Sequence, residues 1–121
     1  MKRDDPALTG EGAALRWQAV CALDDITPDT GVGAWLEGRA VAVFRLAATG
    51  EVFAIDNVDP HSGASVLSRG LVGNLGERIV VASPIYKHHF CLQTGECLEV
   101  PEKSVSAYPV RLEGGRVLVA A

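Results

Sequence analysis

Any chemistry in this chain has to come from three histidines, three cysteines and a few acidic and hydroxyl groups, and these gather in two stretches. The first reads Asp59-Pro60-His61-Ser62-Gly63-Ala64, and the second reads Ser83-Pro84-Ile85-Tyr86-Lys87-His88-His89-Phe90-Cys91. Asp59 and His61, with His88 and His89, offer the carboxylate and imidazole groups that suit zinc or non-haem iron. Their spacing fixes no tetrahedral arrangement, and lone histidines commonly serve as hydrogen-bonding groups instead. The cysteines are Cys21, Cys91 and Cys97, an odd number with no secretory signal ahead of them. That argues against a disulfide framework and for a reducing compartment, where a free thiol packs as a small apolar group. If Thr94-Gly95 forms a two-residue turn, Cys91 lies opposite Leu98 and Cys97 opposite Leu92, so alternation points the two thiols to opposite faces. Ser62 and Ser68 lie in no recognised nucleophile elbow, and Gly73-x-x-Gly76 lacks the Lys-Ser/Thr of a phosphate loop. By itself the chain is expected to catalyse nothing.

These two stretches need a frame, and the rest of the sequence reads as short strands cut by Gly and Pro. Strand character runs over Leu15–Leu23, Gly33–Leu36, Arg39–Leu46, Glu51–Ile55 and Arg78–Ala82. It resumes at His89–Gln93, Cys97–Val100, Tyr108–Leu112 and Arg116–Ala120. Glu37-Gly38, Thr94-Gly95-Glu96 and Glu113-Gly114-Gly115 are the hairpin signals, because Gly tolerates positive φ. In Arg39–Leu46, Val41, Val43 and Arg45 alternate with Ala42, Phe44 and Leu46, predicting one apolar and one mixed face. Trp17, Trp35, Phe44, Phe53 and Phe90 read as core aromatics. No segment carries a helical stripe over three turns, so eight or nine strands predict a sandwich or small barrel. The irregular stretches, 57–76 and 83–88, are long for so small a domain, and loops of that kind usually carry function.

The composition bounds the classes of function. One domain accounts for 121 residues, read as a polar tail over 1–14 and a folded domain over 15–121. With 48% hydrophobic and 21% charged residues the chain can bury a core. A formal net charge of -4 gives no basic footprint for nucleic acid or an anionic membrane. Apolar runs such as Ile79-Val80-Val81-Ala82 are far too short to cross a bilayer. Met1-Lys2-Arg3 is followed at once by Asp4-Asp5-Pro6 rather than by an apolar segment. The expected location is the cytoplasm.

The two loops together resemble a Rieske iron–sulfur motif. In that motif Cys-x-His-x-Gly is followed, one loop later, by Cys-Pro-x-His, then Phe and a Thr-Gly hairpin. Pro84, Phe90, Thr94 and Gly95 keep the frame, whereas Asp59 and Ser83 stand at the cysteine positions. His61 takes one histidine position and Tyr86 the other. A Rieske centre needs two thiolates on one iron and two imidazoles on the other. Hard oxygen groups at Asp59, Ser83 and Tyr86 are poor replacements. A conventional cluster is therefore not expected on this chain.

A sharper resemblance runs through Ala54-Ile55-Asp56-Asn57-Val58-Asp59-Pro60, Val66-Leu67-Ser68-Arg69-Gly70-Leu71-Val72-Gly73, Ala82-Ser83-Pro84 and Lys87-x-x-Phe90. With Trp17-Gln18-Ala19-Val20-Cys21 and Gly31-Val32-Gly33-Ala34, these segments are similar to the small subunit of NAD(P)H-dependent assimilatory nitrite reductase. The likeness spans Trp17 to Val119. One departure is His61, where that family commonly has an aromatic residue. The resemblance implies an all-β, Rieske-like antiparallel β-sandwich or small barrel without cofactor. It also implies a large partner subunit that carries siroheme, an iron–sulfur cluster, FAD and the NAD(P)H site and reduces nitrite to ammonium. On that reading Arg69, Lys87, His88 and His89 form a basic docking tip on an acidic molecule. The plainer reading is a solvated loop with His89 turned inward. The alternative class is a Rieske-type [2Fe–2S] ferredoxin-like electron carrier, against which the missing cysteines count directly.

Overall fold

The computed structural model describes residues 16–121. The tail expected over 1–14, and Leu15 at the head of the expected domain, lie outside the described residues. Short runs of β-branched and small apolar residues give ten strands: β1 (Trp17–Ala22), β2 (Thr30–Leu36), β3 (Arg39–Arg45), β4 (Val52–Asp56), β5 (Leu71–Leu75), β6 (Arg78–Ala82), β7 (His89–Cys91), β8 (Ala107–Tyr108), β9 (Val110–Glu113) and β10 (Arg116–Ala120). They pair antiparallel in three sheets, ordered β1-β10-β9, β2-β3-β4-β8 and β5-β6-β7. The all-β antiparallel class expected from the sequence is the class observed. No helix among the described residues is long and apolar enough to cross a membrane.

The centre of the molecule is β3. Val41, Ala42, Val43 and Phe44 follow one another without a polar break, and all four are fully buried. Val41 and Val43 pack with Val117 and Val119 of β10, while Ala42 and Phe44 pack with Val81 of β6 and Phe90 of β7. The four-stranded sheet is thus a middle layer with a core on each face. Alternation predicts one apolar and one mixed face here, but the face carrying Val41 and Val43 is covered as fully as the other because β10 lies across it. Burying each of these valines stabilises the fold by about 2 kcal/mol.

Four local departures have physical causes. The irregular stretch 57–76 contains β5, which ends in the two-residue turn Gly76-Glu77. Gly76 has φ +62°, the positive value that the first central residue of a type II′ turn requires. The strand expected over Cys97–Val100 reduces to a single bridge between Cys97 and Phe90. There the Glu99 carboxylate accepts the His89 N–H at 2.8 Å, taking a donor that a continued ladder would use. The strand expected over Tyr108–Leu112 is divided at Pro109, which has no N–H to donate; β8 pairs with β4 and β9 with β10. Finally, Phe44 and Phe90 are core residues as expected and Trp17 and Phe53 are half-buried, but Trp35 is 71% exposed. It sits on β2, whose outer edge leaves the ring uncovered.

Candidate functional site

Two loops meet at one end of the middle and β5-β6-β7 layers. The first leaves β4 and is closed by a bridge between Val58 and Ser65. Its base is held by the buried Asn57, whose side-chain oxygen accepts the Ser68 N–H at 2.8 Å and whose carbonyl accepts those of Val66 and Leu67 at 3.0 Å each. Inside it, the Asp59 carbonyl accepts N–H groups from Ser62 at 3.2 Å and Gly63 at 2.7 Å. The second loop leaves β6 and turns in the same manner, the Ser83 carbonyl accepting the Lys87 N–H at 3.0 Å. Lys87 is left-handed with φ +61°, an uncommon conformation for a residue with a side chain. Gly70 lets the first loop lie against the second, since a Cβ there would come within 2.2 Å of the Ala82 carbonyl oxygen, next to Ser83.

At the junction Asp59 is fully buried and Ser83 is 1% exposed. The Ser83 hydroxyl donates to one Asp59 carboxylate oxygen at 2.5 Å, and the His61 N–H donates to the other at 2.8 Å. The groups at the two cysteine positions are thus bonded to each other across the loops. Beside them the His61 and His88 rings stack, with centroids 3.9 Å apart and planes 11° from parallel. His61 Nε2 lies 3.7 Å from the buried Cys97 Sγ, and Nδ1 of His88 is buried without a hydrogen-bond partner. Glu99 completes the cluster by pairing with His89 Nδ1 at 2.5 Å. Burial works to raise the Glu99 carboxyl, but hydrogen bonds from the His89 N–H and imidazole outweigh it and hold the group below its ordinary value.

Of the four ligand positions, Asp59, His61 and Ser83 come together, while Tyr86 is 57% exposed and only tilts toward His88, 6.4 Å away. The second imidazole near the site comes from His88, two residues further on. This donor set does not fit a [2Fe–2S] cluster, which needs two thiolates where a carboxyl and a hydroxyl are locked together. Stacked imidazoles also direct their lone pairs within parallel planes rather than toward a shared ion. Among the described residues no group of three or more His, Cys, Asp or Glu side chains is arranged to hold a metal. Of the four residues read as a docking tip, Arg69 and Lys87 line one groove of about 190 Å³ with Leu71 and Pro84. His88 lies inward against His61 and His89 is engaged by Glu99. Neither Asn57 nor Glu99 stands out by residue type or spacing, and the sequence places Cys97 only by its face. That face holds, although the turn is four residues long, with Cys91 opposite Glu96 and Cys97 opposite Phe90. Cys97 enters the core with Phe90 while Cys91 points the other way.

Three layered antiparallel sheets with two matched loops at one end define a Rieske-like domain, and the family model described as a Rieske-like [2Fe-2S] domain matches residues 16–120. The nitrite reductase (NADH) small subunit of Salmonella typhimurium is 46% identical over 102 residues, which cover 84% of this chain and 94% of that protein. A crystal structure from Mycobacterium tuberculosis, assigned as an NADH-dependent nitrite reductase small subunit, is 48% identical with a TM-score of 0.84, covering 90% of this chain and 97% of that one. The nitrite reductase [NAD(P)H] large subunit of Klebsiella oxytoca matches at 45% identity over 103 residues, or 85% of this chain. There the chain spans only 11% of the relative's length, so in that protein the domain is one part of a much longer polypeptide. The chain belongs to the family of nitrite reductase small subunits.

Proposed function

We propose that this chain is the small, non-catalytic subunit of an NAD(P)H-dependent nitrite reductase that converts nitrite to ammonium in the cytoplasm. The chemistry belongs to a large partner subunit that carries siroheme, an iron–sulfur cluster, FAD and the NAD(P)H site. This chain stabilises or orients that subunit, with Arg69 and Lys87 presented toward it and His88 and His89 held behind them by His61 and Glu99. The hydrogen bond between Asp59 and Ser83 carries the reading, because it fills with oxygen the positions an electron carrier of this fold needs as thiolates. The family supports the partner, since its members include a protein named as a small subunit and a domain within a polypeptide named as a large subunit.

Co-purification with a siroheme protein is the expected result, together with loss of NAD(P)H-dependent nitrite reduction when this chain is removed. A large subunit that is fully stable and active alone would overturn the role. The ferredoxin alternative is tested on anaerobically purified chain by iron and acid-labile sulfide analysis. Sulfide well below one equivalent is expected; stoichiometric sulfide would reverse the assignment.

A further inference from the structure

The outward face of the β5-β6-β7 sheet differs from the rest of the surface. Register places Leu71, Ala82 and His89 in one row across it, Gly73, Val80 and Cys91 in the next, and Leu75 with Arg78 in a third. The opposite face sends Val81 and Phe90 into the core. Leu71 is 81% exposed and Leu75 43% exposed, and Gly73 lies between them with open space where a Cβ would stand. The result is a depression of about 200 Å³ with leucine walls over Gly73 and Val80. On its rim Arg78 is paired with Glu96, and His89 is hydrogen-bonded to Glu99. On the far side of Leu71 lies the groove of Arg69 and Lys87, and Ile85 and Tyr86 are exposed in the loop that bounds it. Leu71 and Leu75 thus mark this flank, and Ile85 and Tyr86 are exposed in the adjoining loop.

Leucines so exposed on a free edge strand invite association, which proteins usually prevent with charge or proline. Beside Leu71 the groove carries two cations, Arg69 and Lys87, on a chain of net charge -4, which selects a partner surface carrying acid at that end. We propose that the large subunit seats on this flank, inserting an apolar side chain between Leu71 and Leu75 over Gly73 and setting a carboxylate against Arg69 and Lys87. This rests on the small-subunit reading and specifies its contact surface: the outward sheet flank carries the anchor, and the stacked histidines at the loop junction lie outside it.

The test measures the affinity of purified large subunit for the full chain and its variants, with folding of each checked by circular dichroism and thermal melting. Leu71→Asp is expected to weaken binding at least tenfold. Gly73→Val, which fills the depression from a position with free space, is expected to weaken it similarly while leaving the melt unchanged. Trp35→Asp on β2 and Leu112→Asp on β9 alter exposed apolar residues elsewhere and are expected to stay within twofold of the parent. Parent-like binding by both Leu71→Asp and Gly73→Val overturns the surface while leaving the subunit reading intact. Loss of binding in Trp35→Asp alone moves the interface to the first loop's flank and also overturns it. If the unmodified chain does not bind, the subunit reading fails as well. Sedimentation of the chain alone as a dimer that Leu71→Asp dissociates would assign the flank to a second copy and overturn the proposal.

Discussion

The residue that decides what this domain can do is Asp59. A buried carboxyl needs donors, and it has two, the Ser83 hydroxyl and the His61 N–H. Removing the first by Ser83→Ala leaves an under-satisfied buried acid and should lower unfolding free energy by about 2 kcal/mol. Asp59→Asn keeps an oxygen for Ser83 and should cost about 1 kcal/mol. Urea denaturation of both variants checks the order; equal stability of Ser83→Ala and the parent would show that the bond does not matter. Glu99 gives a pH prediction. Its carboxyl is held below its ordinary value by hydrogen bonds from His89, which outweigh the desolvation that works to raise it. The stabilisation from that pair is therefore full above the ordinary glutamate range and is lost as pH falls through the lower folded value. A carbon-detected NMR titration of Glu99 should show the depressed midpoint, and Glu99→Gln should flatten the acid limb of stability in that window.

At the scale of elements, the two loops keep their relation because a glycine lets one rest on the other. Gly70→Ala would drive a methyl group into the Ala82 carbonyl and should destabilise by about 3 kcal/mol, with the loss read by thermal melting. Gly73→Ala, in open space on the adjacent strand, should fall within about 0.5 kcal/mol of the parent. The strands themselves were largely legible. Runs such as Ile79-Val80-Val81 and hairpin signals such as Glu37-Gly38 name their structure locally, and β3 and β6 stand close to where periodicity puts them. β5 was not legible, because Gly73 and Asn74 dilute its strand character and its side chains are kept in place by pairing with β6. Glu99 was hidden for a related reason: its role is to take the His89 N–H, a partner ten residues away.

At the scale of the molecule, three stacked sheets give a graded stability. β3 is covered on both faces by separate cores, whereas β5 is an edge strand with one face open. Hydrogen exchange should therefore be slowest in residues 41–44 and far faster in residues 71–75, tracking global and local opening respectively. Mass-spectrometric exchange measures both segments in one experiment; equal protection would contradict the layered account.

The sequence alone determined the fold class, the strand-rich core and the absence of thiolates at the two cluster positions, since residue types and local alternation carry that information. It could not decide that Asp59 and Ser83 bond to each other, that His88 rather than Tyr86 stacks on His61, or that Trp35 is left in solvent. Those depend on which distant segments meet, and such contacts follow from how the three sheets pack rather than from any one stretch of chain.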